Sequence, residues 1–160
     1  MDFVSDSLVS ARRFKCLTVV DDCSHECVDL TADFGIGGEY VTRLLDRAAL
    51  FRGYPAAVRT DNGPEFLGEA FTQWARNAGM AIQYIQPGKP NQNAYIERFN
   101  RTLRNELLDQ HLFVRLEDVR EAAYWWMLEY NEERPHDSLG DMTPVEFAQV
   151  ARNSSLELSP

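Results

Sequence analysis

Long apolar runs are missing from this sequence. The longest, residues 122–128, is too short to span a bilayer, so no membrane helix is expected. Met1-Asp2-Phe3 opens neither a basic segment nor an apolar one, so no secretory leader is expected. Cysteine is scarce. Three is an odd number that suits a reducing cytoplasm better than a disulfide framework. Cys23-x-His25-x-Cys27 fits no usual zinc finger, and no fourth ligand is near, so these read as turn residues. No phosphate-cradling loop is present. Gly35-Ile36-Gly37-Gly38 lacks both dinucleotide spacing and the Lys-Ser/Thr of a P-loop, and reads as a linker. Cations are outnumbered, 16 Lys+Arg against 25 Asp+Glu, for a net charge of −9. That deficit argues against a generic nucleic-acid binder.

The acidity is unevenly spread. Residues 1–104 carry 12 basic and 13 acidic side chains, whereas residues 105–160 carry 4 and 12. The first two-thirds can therefore still present a basic face, with the last third a solvated helical surface. Composition is otherwise that of a globular protein, 44% hydrophobic and 26% charged, and 160 residues fit one domain. We place that domain at residues 1–151 and a frayed tail at 152–160.

Local patterns set out the elements. Residues 2–8, 14–20 and 26–34 read as strands, the last two forming a hairpin through Asp21-Asp22-Cys23-Ser24. Apolar residues at helical spacing predict a helix over 39–52, which Gly53-Tyr54-Pro55 ends. A strand at 56–60 runs into Asp61-Asn62-Gly63-Pro64, a strong loop signal. A helix marked by Phe66, Phe71, Trp74 and Ala78 follows, then a strand at 80–85. Pro87-Gly88-Lys89-Pro90 is a loop before a helix of about 18 residues from near Gln92. Val119, Ala123, Trp126 and Tyr130 define a further helix. Trp125 and Trp126 lie about 100° apart on it, so both cannot face one core. Thr143-Pro144-Val145-Glu146 is a capping box with proline at the first helical position. The order describes an α/β domain with a mixed sheet.

Three carboxylates stand out. Asp61 follows a strand, and sites collect at the carboxyl ends of strands in open α/β sheets, although Asp is also a common turn residue. On the long helix, Ile96, Phe99, Leu103 and Leu107 form the core stripe. Glu97 sits on the adjacent flank with Asn93, Asn100, Arg101 and Arg104. That is either a surface Glu–Arg pair or a carboxylate at a cleft rim with cations placed for phosphates. Asp2 lies on the first strand, where an unpaired carboxylate is costly unless something cationic meets it. Glu65 reads as a helix N-terminal residue favoured by the dipole.

These residues match a known pattern. Asp61-Asn62-Gly63-Pro64-Glu65-Phe66, then residues 87–102, then Tyr130-Asn131-x-x-Arg134-Pro135-His136-x-Ser138-Leu139 and Thr143-Pro144-x-Glu146 occur in order. They resemble the catalytic core of bacterial insertion-sequence transposases, in the DDE superfamily that includes retroviral integrases. Asp61 and Glu97 are separated by 35 residues, and Asp2 and Asp61 by 58, both as in that family.

The resemblance implies an α/β, ribonuclease-H-like fold: a five-stranded mixed sheet, its first three strands antiparallel, flanked by helices. It implies a catalytic triad of Asp2, Asp61 and Glu97 that also binds metal, with two Mg²⁺ (or Mn²⁺) ions. Lys89, Asn93, Arg101 and Arg104 are the implied DNA contacts. The implied activity is metal-dependent DNA cleavage and strand transfer, with transposon ends and target DNA as partners and a homo-oligomer for the full protein. His136 falls near DNA or anchors a loop. Related transposases carry an N-terminal helix-turn-helix region. Only Met1 precedes Asp2, so we expect an isolated core with weak, non-specific DNA binding. Two alternatives stay open: a ribonuclease-H-like nuclease without strand transfer, and a catalytically silent DNA-associated module.

Overall fold

A computed structural model describes residues 1–86 and 88–157. Strands β1 (Asp2–Ser7), β2 (Arg13–Val20) and β3 (Cys27–Asp33) form an antiparallel sheet in that order. Alternation explains why the middle strand is buried on both sides. Phe14 and Cys16 of β2 join Val4 and Ala32 in one core, while Leu17 joins Met1 in a second.

Helix α1 (Gly38–Arg52) lays Val41, Leu44 and Leu45 on the second core. Strands β4 (Ala57–Thr60) and β5 (Ala81–Tyr84) pair in parallel. Parallel strands need a crossover, supplied by α2 (Pro64–Leu67) and α3 (Glu69–Asn77). The single helix expected there is broken at Gly68, whose ψ of 151° is extended. Phe66 and Phe71 on either side of the break are fully buried. Each contributes on the order of 2 kcal/mol by burial.

A 3₁₀ turn (Pro90–Asn93) leads into α4 (Ala94–Leu103), which continues as a π-helical stretch, Arg104–Leu108. The predicted stripe of Ile96, Phe99, Leu103 and Leu107 is buried in the first core. The wider π turn brings Leu108 into it as well. Helix α5 (Leu116–Glu132) packs there through Val119, Ala123, Trp126 and Tyr130. Helices thus cover both faces of the three-stranded sheet. Trp126 is buried and donates its indole N–H to Glu106 at 3.0 Å, whereas Trp125 is 60% exposed. The Thr143–Glu146 capping box forms in both directions. Helix α6 (Pro144–Glu157) runs past residue 152, where we expected a tail; residues 158–160 lie outside the described residues.

One expectation is corrected. The strands divide into three plus two rather than forming a single five-stranded sheet. The described backbone link from the start of β1 to β4 is one hydrogen bond, from the Met1 amine to Arg59 O at 2.8 Å. One bond does not make a ladder.

Candidate active site

Asp2 and Thr18 are partners across the β1–β2 ladder. The Thr18 hydroxyl donates to Asn100 Oδ1 at 2.8 Å, and the Asn100 amide donates to Asp2 Oδ2 at 2.8 Å. The Phe3 N–H donates to the other carboxylate oxygen, also at 2.8 Å. Asp2 is therefore oriented from both sides. Burial pushes its carboxyl above the ordinary range; the Phe3 N–H opposes this, and the charges of Asp61 and Glu97 add to it. Along the chain, 58 and 35 residues separate the three acids.

Asp61 sits just past β4, after the fully buried Thr60. The Gly63 N–H donates to its Oδ1 at 2.9 Å, a turn that aspartate favours. Glycine at 63 leaves room for the Asp61 and Glu65 carboxylates. A Cβ there would lie 2.9 Å from Asp61 Oδ1 and 3.2 Å from Glu65 Oε2. Asn62 ties this loop to the end of β5 by donating to Ile85 O at 3.0 Å. Glu65 pairs with Lys15 of β2, whose ammonium also lies over the Phe3 ring. That pairing anchors the start of α2 to the sheet, a role beyond the dipole.

Glu97 is exposed on the first turn of α4 and makes no ion pair among the described residues. The surface pair with Arg101 weighed above does not form there. Arg101 and Lys89 are exposed too, and Asn93 lines a small cleft with Met1, Asp22 and Arg59 beside the site. Arg104 faces back to β1: it donates to Ser5 O at 2.7 Å and lies 3.7 Å from Asp6 and 3.5 Å from Asp109.

The donor set suits a hard divalent cation, which takes carboxylate oxygens and relieves a buried like-charge group. The fit is one of chemistry and charge. Among the described residues no three His, Cys, Asp or Glu side chains stand close enough to hold an ion. Cys23, His25 and Cys27 make no such group either; Cys27 is core and Cys23 exposed. A cavity behind the end of α1 is lined by none of the three acids.

Sequence reasoning missed Asn100 and Thr18. Asn100 was visible on the flank of Glu97, three residues on. Its partner was not, because the pairing depends on β2 delivering Thr18 beneath α4.

Two family profiles described as integrase core domain match residues 1–90 and 78–144. The chain belongs to the integrase core domain family. This integrase core is 55% identical over its full length to an uncharacterized protein of insertion element IS476 from Xanthomonas euvesicatoria, covering 47% of that protein. Identity is again 55% to an uncharacterized protein of insertion element IS407 from Burkholderia multivorans, over 95% of the chain and 55% of the relative. The chain spans about half the length of these curated relatives. Among solved structures, the HTLV-2 integrase catalytic core, in complex with magnesium, superposes with a TM-score of 0.69 at 16% identity, over 91% of this chain and 94% of that one. The BIV integrase catalytic core gives 0.66 at 17%, over 97% and 96%. The integrase-core fold is therefore that of the retroviral enzymes, an α/β ribonuclease-H-like architecture. No helix among the described residues is long and apolar enough to cross a membrane.

Proposed function

We propose that this chain is the catalytic core of a DDE transposase, with Asp2, Asp61 and Glu97 as its acidic triad. The observation that supports the reading is the integrase core match, together with an Asp2 carboxylate that Asn100 orients. A protein 31% identical over 56% of the chain is named the transposase for insertion sequence element IS904, from Lactococcus lactis.

Two bound Mg²⁺ or Mn²⁺ ions would activate the attacking oxygen and stabilise charge on the leaving one. Asp2, held by Asn100 and the Phe3 N–H, would offer them an oriented carboxylate oxygen. Glu97 would approach from α4 and Asp61 from the Gly63 turn. Lys89, Asn93 and Arg101 would hold the DNA backbone along the same edge. Arg104 is the least free of the four expected contacts, being bonded to Ser5 O. Water attacks the phosphorus at the transposon end, forming a P–O bond as the P–O3′ bond breaks, and leaves a 5′-phosphate and a 3′-hydroxyl. That hydroxyl then attacks a target phosphate, forming one P–O bond as another breaks. The work on DNA is cytoplasmic and engages a multimer of the full protein.

The test is nicking and joining of labelled duplexes in Mn²⁺ at high DNA concentration. Asp61→Asn and Glu97→Gln should each abolish both activities with unchanged circular dichroism. Wild-type activity in either variant overturns the triad. Nicking without joined products leaves a nuclease instead.

A further inference from the structure

Four rings meet beside the first turn of α4, and the mechanism above uses none of them. The His25 ring lies 4.3 Å from that of Tyr95 and 6.0 Å from that of His136. His136 in turn packs 5.1 Å from Tyr130, and the Tyr95 and Tyr130 hydroxyls are 3.3 Å apart. Each ring comes from a braced element. Asp21 accepts from the N–H groups of Cys23 and Ser24 and so shapes the β2–β3 turn that presents His25 at φ 61°. The His136 N–H donates to Met142 O at 3.0 Å, closing the loop after α5. Ser138 lies 3.3 Å from His25 Nδ1, linking that loop to the turn. Among the described residues His136 Nε2 is buried without a hydrogen-bond partner, which is costly for a ring whose only task is to fill space.

Helix α4 needs such a brace. Neither the 3₁₀ turn before it nor its own start has a side-chain cap. The segment leading in, including Lys89, Asn91 and Gln92, is exposed. An uncapped start frays. Glu97 stands in that first turn, two residues after Tyr95.

We propose that His25, Tyr95, Tyr130 and His136 form a ring clasp that holds the first turn of α4 and thereby positions Glu97. The positioning role rests on the triad reading above. The clasp joins the β2–β3 turn, α4 and the loop after α5, so it also gives a task to the Tyr-Asn-x-x-Arg-Pro-His block. Burial holds both imidazoles below their ordinary range, against the opposing charges of Asp21 and Asp22 at His25 and of Asp137 at His136, while Arg98, Arg134 and the second imidazole act with burial.

The test uses three variants of the whole chain. His25→Asn removes one ring with a residue that tolerates positive φ. Tyr95→Leu removes the ring it packs on, and Tyr95→Phe keeps it. In His25→Asn and Tyr95→Leu the Mn²⁺-dependent nicking rate at saturating DNA should fall about tenfold, with the half-saturating DNA concentration unchanged. Tyr95→Phe should retain most of the rate. The double variant should be no slower than either single, because the rings act as a unit. Hydrogen exchange of the amides of residues 98–100 should speed up about tenfold in His25→Asn, with β1–β2 amides unchanged. Unchanged exchange at 98–100 overturns the clasp. Faster exchange with an unaltered nicking rate overturns the positioning role. If the wild-type chain shows no metal-dependent nicking, the triad reading falls, and exchange alone decides the clasp.

Discussion

Asn100 on α4 donates a 2.8 Å hydrogen bond to Asp2 on β1, 98 residues away along the chain. The same amide accepts from Thr18, so its orientation is set by the sheet itself. Asn100→Ala should leave the fold intact and free the Asp2 carboxylate to rotate. The nicking rate should fall about tenfold, equivalent to about 1.4 kcal/mol of transition-state stabilisation. Asn100→Asp should cost more, since it adds a like charge against the Asp2 carboxylate. Kinetics at saturating DNA check this; a wild-type rate in Asn100→Ala would remove Asn100 from the site.

Asp2 also makes the site a cost to stability. Its folded-state carboxyl is raised above the ordinary value, chiefly by burial. The folded state therefore keeps this proton to higher pH than the unfolded chain does. The associated stability is fully present below the unfolded value of about 4 and is lost as pH rises through the folded one. Asp2→Asn removes that loss. The neutral amide keeps an acceptor, and Asn100 can flip to match it. Thermal melts in chelator should show wild type and variant nearly coincident at about pH 3. By pH 7 the variant should be the more stable, while being inactive. A constant difference across that range would show that the carboxyl is not strained by its surroundings.

Asn131 is the structural member of the Tyr-Asn-x-x-Arg-Pro-His block. Its side chain accepts from the Cys27 N–H at 2.8 Å and donates to Cys27 O at 2.9 Å, both buried. Asn131→Ala would strand two buried backbone groups. We expect a loss of about 2–4 kcal/mol in urea unfolding. A change under about 0.5 kcal/mol would mean that water or a shift of α5 satisfies Cys27 instead.

Much of the fold was legible in local patterns. The three antiparallel strands, the α4 stripe and the Thr143–Glu146 capping box are short-range features, encoded within a few residues of one another. The break at Gly68 was not legible. Phe66 and Phe71 lie about 140° apart on a single helix, and the break at Gly68 lets both rings enter the second core. Between β1 and β4 the described link is one bond, from the Met1 amine just before β1 to Arg59 O, so the expected five-stranded ladder is not formed.

By itself, the sequence determined which residue types recur at helical and strand spacing, and that Asp2, Asp61 and Glu97 stand at intervals matching an integrase core. It also determined that one of two adjacent tryptophans must leave the core. Tertiary structure alone decided that Trp126 is the buried one, that Arg104 turns back to Ser5, and that Asn100 meets Asp2. Periodicity and capping act within a turn or two. These contacts join residues 98 or 99 positions apart, and only the packing of helices against the sheet brings them together.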